Sequence, residues 1–107
     1  MVVLGGNPQD LTLQLAYDSD FNTVLESYNN GQPEDFPAGT EVTLEVKVEN
    51  TTTVWTATVS GNQATFNVDA AAVNAVLDQA GQRSARLFYE NGTDRRLWAS
   101  GKVKEVR

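Results

Sequence analysis

The acidic run that begins at Asp18 is the segment of this sequence whose spacing comes nearest to a metal site. Asp18-Ser-Asp-Phe-Asn22 opens like a calcium loop, in which oxygen ligands recur at every second position. The pattern then fails, because the sixth position is Thr23, where a glycine makes the turn, and the twelfth is Asn29, where a bidentate glutamate is needed. The sequence therefore predicts no metal site.

The chain lacks the side chains that most often carry out catalysis. The sequence has no histidine and no cysteine, which removes the commonest general base, the commonest zinc ligand and every thiolate. Glu34 and Asp35 could pair with the acids of the Asp18 run as glycosidase-like carboxylates, but a chain with 14 acidic residues offers many such pairs by chance. Phosphate-cradling and nucleophile-elbow motifs are also missing. We therefore predict no enzyme activity and no cofactor, and we keep a hydrolase only as the remotest hypothesis.

The formal net charge of −6 argues against a nucleic-acid partner, whose phosphates require clustered Lys and Arg. The charge is uneven along the chain: residues 1–50 carry nine acidic and one basic side chain, and residues 51–107 carry five acidic and seven basic ones. The simpler interpretation is a solvated surface of both signs. The alternative is a polarised domain whose copies meet acidic face to basic face.

A period of two dominates the hydrophobic pattern and predicts β-strands. Apolar residues alternate with mostly polar ones in runs that start near Leu11, Val42, Trp55, Ala64, Ala85 and Leu97, and a further strand is predicted from Phe21 to Tyr28. Seven short strands with one buried face each need a second sheet to cover that face. We therefore predict an immunoglobulin-like antiparallel β-sandwich of about seven strands.

Turn and cap residues separate these runs. Ser60-Gly-Asn62 and Asn91-Gly92 are typical of tight hairpins, and residues 29–39 are predicted to form a long exposed loop. Residues 69–81 break the alternation and predict one short α-helix, capped by Asp69 and ended by Gly81, that covers one end of the sandwich.

At 107 residues the chain matches one domain, which we divide into an N-terminal extended arm at 1–9 and a β-sandwich domain at 10–107. The arm contains Gly5, Gly6 and Pro8; it pairs either within the domain or with a neighbour, and we favour the neighbour. The opening residues have no basic region and only a brief apolar run, so we predict no signal peptide, no membrane span and synthesis in a cytoplasm.

Candidate interface residues are of two kinds. Trp55 is predicted to pack in the core, whereas Trp98 is out of phase with Leu97 and Ala99 and is predicted to point outward beside two arginines. Phe88 is predicted to face the same way, and Phe36 is either a plug on the core or an exposed contact. The complete set of candidates is Val2, Val3, Leu4, Phe36, Phe88, Arg95, Arg96 and Trp98.

The order of these segments resembles a known family. The segments that carry the resemblance are Asp10-Leu-Thr-Leu-Gln-Leu15, Phe36-Pro-Ala-Gly-Thr-Glu-Val-Thr-Leu44, Val54-Trp-Thr-Ala-Thr58, Ala64-Thr-Phe-Asn-Val-Asp69, the Ala-rich helix, and residues 85–103. Over about residues 10–106 they resemble the LtfC-like β-sandwich domain of tailed-phage virion proteins, particularly those of actinobacteria. The layout is also similar to that of the immunoglobulin-like domains of phage baseplates.

The resemblance implies a non-enzymatic structural protein located in a virion and made in the host cytoplasm. Its partners would be other virion proteins, capsid or tail subunits, and possibly copies of itself, with no nucleic acid and no membrane. The first hypothesis is a capsid decoration or minor capsid protein, or a head–tail connector component, that docks through its arm, an edge strand and outward aromatics. The alternative is a tail-fibre, baseplate or host-adhesion module in which Trp98 stacks on a carbohydrate.

Overall fold

Two facing β-sheets and one short helix make up the fold, in a computed structural model that describes residues 2–3 and 9–106. The strands are β1 (Val2–Val3), β2 (Gln9–Ala16), β3 (Phe21–Asn29), β4 (Gln32–Pro33), β5 (Glu41–Val48), β6 (Thr51–Thr56), β7 (Thr58–Ser60), β8 (Gln63–Val68), β9 (Arg83–Asn91) and β10 (Asp94–Val106). The helix, α1, spans Ala70–Leu77 between β8 and β9.

The first sheet has the strand order β1-β3-β8-β7, with β4 beside β3, and the second has the order β2-β10-β9-β5-β6. The predicted sandwich is therefore confirmed. Not every pairing is antiparallel, because β1 runs parallel to β3 and β2 runs parallel to β10. The second of these pairings places the first long strand of the chain beside the last one.

The apolar run that begins at Trp55 forms two strands, where the sequence predicts one. β6 belongs to the second sheet and β7 to the first, and Ala57 lies between them. The backbone N–H of Ala57 still donates to the carbonyl of Val42 at 2.8 Å, so the chain leaves the second sheet immediately after this bond. The alternation of side chains continues through the switch because Trp55, Ala57 and Val59 all face the space between the sheets.

The core fills the space between the sheets, and the predicted inward residues line it with one exception. Leu97, predicted to face inward with Ala99, pairs with Phe88 on the outer face. The largest fully buried apolar side chains of the core are Leu15, Val42, Val46, Phe66, Val73, Val76 and Trp98. The helix covers one end of the sandwich as predicted, with Val73, Val76 and Leu77 facing inward. It is shorter than the predicted 69–81, because it ends with Asp78 as its C-terminal cap, where the Asp78 N–H donates to the carbonyl of Asn74 at 2.8 Å.

The helix N-terminus is satisfied by two carboxylates. Asp69 caps it as predicted, since its Oδ1 accepts from the Ala72 N–H at 2.8 Å, and Asp20 Oδ1 accepts from the Ala70 N–H at 2.8 Å. Asp18, which has a positive φ of 62°, exchanges two 2.8 Å hydrogen bonds with the side chain of Asn74. The acidic run therefore fixes the β2–β3 turn to the helix. Within residues 2–3 and 9–106, no three His, Cys, Asp or Glu side chains gather as a metal site requires.

Both predicted hairpins form. Ser60 pairs with Gln63 across a two-residue turn in which Gly61 has a φ of +60°. In the second hairpin Asn91 pairs with Asp94, so the turn residues are Gly92 and Thr93, one position later than predicted. The Asn91 side chain contacts the neighbouring loop, where it donates to the carbonyl of Ala38 at 3.0 Å.

The N-terminal arm is described only in part. The backbone of Val2–Val3 pairs with Ser27 and Tyr28 of β3 in the same chain, so at these two residues it is the within-domain alternative that forms. Leu4, Gly5, Gly6 and Pro8 lie outside the described residues. The second sheet begins at Gln9, one residue before the predicted start of the sandwich domain.

Candidate docking surface

Trp98 faces the core, and the prediction that it points outward is wrong. Its exposed fraction is 2%, and its ring packs edge-on against Phe36 and Tyr89 with centroid distances of 5.8 and 6.0 Å. The reason is a β-bulge in β10: Leu97 pairs with Phe88 and Ala99 pairs with Leu87, so Trp98 is an extra residue. Trp98 and Ala99 consequently both point inward, and the strict alternation assumed from the sequence does not hold there.

Phe36 is a plug on the core, which was one of its two predicted alternatives. Its exposed fraction is 7%, and its ring contacts Trp98 in a T-shaped arrangement. The Phe36 N–H donates to the carbonyl of Gly61 at 2.9 Å, which fixes the loop against the β7–β8 turn. The predicted exposed loop at residues 29–39 is therefore exposed only in part.

Phe88 does lie on the outer face of the second sheet, as predicted, but it is not exposed. Its exposed fraction is 6% because two arginine side chains cover it. The guanidinium carbon of Arg95 is 3.6 Å from the ring centroid, and that of Arg86 is 5.2 Å away. Both distances fall within the range of cation–π attraction.

Two carboxylates hold these arginines over the ring. Glu90 accepts from Arg95 Nε at 2.7 Å, and Glu45 accepts from Arg95 Nη2 and also from Arg86 Nη2, the latter at 3.4 Å. The hydrogen bond to Glu90, followed by the attraction of Glu45, raises the pKa of Arg95 above its ordinary value, so Arg95 stays charged. We call Glu45, Arg86, Phe88, Glu90 and Arg95 the arginine cluster.

The cluster joins acids and bases from the two halves of the chain. Glu45 belongs to the acidic first half, whereas Arg86 and Arg95 belong to the more basic second half. Part of the charge asymmetry along the sequence is therefore neutralised within the domain.

Sequence reasoning found Phe88 and Arg95 but missed Glu45, Arg86 and Glu90. Arg86, Phe88 and Glu90 are spaced at i, i+2 and i+4 on one strand, which was the available signal that they share a face. Glu45 gave no such signal, because only the pairing of β5 with β9 places it opposite Arg86.

Arg96 is not part of the cluster. It pairs with Tyr89, whose ring faces Trp98, so Arg96 and Arg95 lie on opposite faces of β10. Arg96 is exposed. The two neighbouring arginines therefore present their charges to different surroundings.

Apolar side chains flank the cluster on both sides. Val54 pairs with Glu45 and is 52% exposed, and Leu97 pairs with Phe88 and is half-buried. The Arg86 side chain is 56% exposed and the Arg95 side chain 46% exposed, so both present N–H groups to solvent. Aromatic residues and arginines held in place beside exposed apolar side chains are typical of protein–protein interfaces. This chemistry suits docking on another protein.

An apolar cavity of about 240 Å³ lies between the sheets where β2 faces β3. Its lining residues are Leu11, Thr12, Leu13, Gln14, Phe21, Thr23, Leu25, Leu44, Phe66 and Leu87. None of these side chains titrates, so the lining offers no general acid or base.

Comparison with known proteins agrees with this architecture. A family model described as an LtfC-like β-sandwich domain matches residues 7–106. The chain belongs to the LtfC-like β-sandwich domain family. The match confirms the resemblance seen in the sequence and begins three residues before the segment that carried it.

The fold of this LtfC-like domain is also found in a phage protein of known structure. The N-terminal domain of phage TP901-1 ORF48 superposes with a TM-score of 0.54, covering 99% of this chain and 94% of that chain at 12% sequence identity. No curated protein is similar in sequence to this LtfC-like domain at a significant level. In the described part of the chain, the single helix α1 is too short to cross a membrane.

Proposed function

We propose that this LtfC-like domain is a non-enzymatic structural protein of a tailed-phage virion that docks on a larger assembly. The observation that carries the proposal is the family match over residues 7–106. The shared fold with a domain of a phage protein, over nearly the whole of both chains, supports it. The apolar lining of the cavity between the sheets also supports a role without catalysis.

The arginine cluster is the docking surface in this proposal. Because Glu45 and Glu90 already hold the arginines in place, a partner does not need to order them on binding. A carboxylate of the partner can accept from the remaining N–H groups of Arg86, while Val54 and Leu97 supply apolar contact.

Within the particle, the proposal assigns the domain to the capsid, as a decoration or minor capsid protein, or to the head–tail junction. The tail fibre or baseplate is the alternative location. The hypothesis that a tail module binds carbohydrate depended mainly on Trp98. A Trp98 ring that is 2% exposed is not available to stack on a sugar.

The test is to purify virions of the phage that encodes this chain on a density gradient and to measure their proteins by mass spectrometry. The expected result is the chain in fixed copy number in intact particles, and immunogold labelling then shows whether it lies on the head, at the junction or on the tail. If the protein is made during infection but is missing from banded particles, the proposal is wrong.

The docking surface is tested in the same particles by complementation with variants. Arg86→Glu reverses an exposed charge of the cluster and is expected to lower incorporation several-fold without unfolding the domain. Lys104→Glu on β10 makes the same charge change outside the cluster and serves as the matched control. Equal incorporation of both variants would show that the cluster is not the docking surface.

A further inference from the structure

The edge of the second sheet at β6 is built differently from the other sheet edges. β6 is six residues long, is the last strand of its sheet and pairs only with β5 among the described strands. The edge strands β1 and β7 of the first sheet have only two and three residues. The opposite edge of the second sheet, β2, carries the charged residue Asp10. Short strands and charges discourage an edge from pairing with another chain, and β6 has neither protection.

The sequence of β6, Thr51-Thr-Thr-Val-Trp-Thr56, contains no charged residue, no proline and no glycine. β-Branched residues occupy five of its six positions, which favours extended pairing. Val54 on this strand is 52% exposed and is one of the two large apolar side chains exposed in the described part of the chain. The strand is therefore an uncharged strand of high β-propensity at an open edge.

The register shows which backbone groups of β6 are open. The Ala57 N–H donates to Val42 in β5, and N–H groups along an antiparallel strand point alternately to either side. The N–H and C=O groups of Thr52, Val54 and Thr56 therefore point away from β5. Their side chains are exposed as well.

Charge favours β6, over the rest of the surface, as the place where a second copy of this chain binds. Two copies with a net charge of −6 repel each other over most of their surfaces. That repulsion is smallest at β6, which is uncharged, and Glu45, the acid that pairs with Val54, is already neutralised by Arg86 and Arg95. No like charges would face each other across a β6–β6 pair.

We propose that β6 pairs with β6 of a second copy, antiparallel and about a two-fold axis through Val54. In this register Val54 faces Val54 of the second copy, and Thr52 faces Thr56 of the second copy. The residues with open backbone groups are then the ones that exchange hydrogen bonds, so a copy of the same strand satisfies the whole edge. The second sheet of one copy and the second sheet of the other then form one continuous sheet.

The dimer is weak in dilute solution. One strand pair buries less than the roughly 1,600 Å² of a standard stable interface. In an assembly that holds two copies close together, the effective concentration is about millimolar, and a weak pairing then forms.

Single-cysteine cross-linking tests the register, because the natural chain has no cysteine. Val54→Cys is expected to give disulfide-linked dimers under mild oxidation, since side chains directly opposite each other have Cβ atoms about 5 Å apart. Thr52→Cys alone and Thr56→Cys alone are expected to stay monomeric, because equivalent residues then lie about 13 Å apart along the strands. An equimolar mixture of Thr52→Cys and Thr56→Cys is expected to cross-link.

Val24→Cys is the control for non-specific oxidation, because Val24 is 50% exposed on the first sheet. Equal cross-linking of Val24→Cys and Val54→Cys, or faster cross-linking of Thr52→Cys alone than of the mixture, would overturn the proposal. A Val54→Cys protein that stays monomeric at millimolar concentration would also overturn it. Because the assay uses purified protein, its result does not depend on whether the chain is a virion component.

Light scattering gives a second readout that needs no cysteine. Val54→Lys places two positive charges against each other on the two-fold axis and is expected to abolish any concentration-dependent increase in mass. Val24→Lys is the matched control and is expected to leave the increase unchanged. A dimer that survives Val54→Lys unchanged would argue against pairing through β6.

Discussion

The guanidinium of Arg95 stacks on Phe88, with its central carbon 3.6 Å from the centre of the ring. This contact makes an outward aromatic residue as inaccessible as a core residue, although the covering consists of charged side chains and not of a second sheet. A ring buried under arginines differs from a ring buried in the core in one measurable respect. The two differ in how much free energy of unfolding is lost when the ring is removed.

Phe88→Ala is expected to lower the free energy of unfolding by about 1.5–3 kcal/mol, which is the transfer cost of the ring alone. The flexible arginines can close over the space, so little cavity remains. Phe66→Ala, at a core position with 1% exposure, is expected to cost about 3–5 kcal/mol because a cavity remains there. Urea unfolding of both variants measures the difference. Equal losses would mean that the arginines are as rigid as the core.

Trp98→Ala is expected to destabilise the domain by about 3–5 kcal/mol, because the indole fills the space between Phe36 and Tyr89. Trp98→Phe keeps an aromatic ring there and is expected to lower the free energy of unfolding by less than Trp98→Ala does. The indole N–H has no hydrogen-bond partner among the described residues, so replacing Trp98 with phenylalanine removes no hydrogen bond. Thermal unfolding followed by circular dichroism measures both. A Trp98→Ala protein with unchanged stability would contradict the inward position.

Gly101→Ala is expected to weaken the parallel pairing of β2 with β10. A Cβ at position 101 would lie 1.7 Å from the backbone carbonyl oxygen of Leu11, so the two strands must separate. The expected loss is about 3 kcal/mol, at the upper end of overpacking. The neighbouring Ser100→Ala change is the control and is expected to have little effect. Hydrogen exchange of the β2 amides would show the separation directly, and unchanged protection would exclude it.

Tyr28 is expected to ionise at a higher pH than an ordinary tyrosine. Its hydroxyl donates to Glu26 Oε2 at 3.1 Å, and this hydrogen bond, together with the negative charge of Glu26, raises the pKa of Tyr28. Because the folded-state pKa is the higher one, the contribution of this pair to stability is present below the unfolded-state pKa and is lost as the pH rises through the folded-state pKa.

Ultraviolet titration of the protein and of Tyr28→Phe gives the ionisation of Tyr28 by difference. Glu26→Gln removes the charge and is expected to move the pKa of Tyr28 down toward its ordinary value. Glu41→Gln, on the second sheet, is the control and is expected to leave it unchanged. A Tyr28 pKa that is insensitive to Glu26→Gln would show that the hydrogen bond does not form in solution.

The strands and the helix were predictable from the sequence because their signals are local. Alternation at Leu11–Leu15 and Val42–Val48 follows from one face of each strand being buried, and the Asp69 cap follows from backbone N–H groups that a nearby carboxylate satisfies. The absence of histidine and cysteine likewise limits the chemistry open to the chain, because composition does not depend on how the chain folds.

Only the tertiary structure determined which face of the sheet each aromatic side chain occupies. Trp98 turns inward because β10 accommodates one extra residue against β9, and a bulge changes the phase of all the residues that follow it. Phe88 is covered because the pairing of β5 with β9 brings Glu45 beside Arg86, 41 residues away in the sequence. A periodic pattern specifies how side chains alternate along one strand. Which strands become neighbours, and in what register, depends on contacts between distant segments, and only the folded chain contains them.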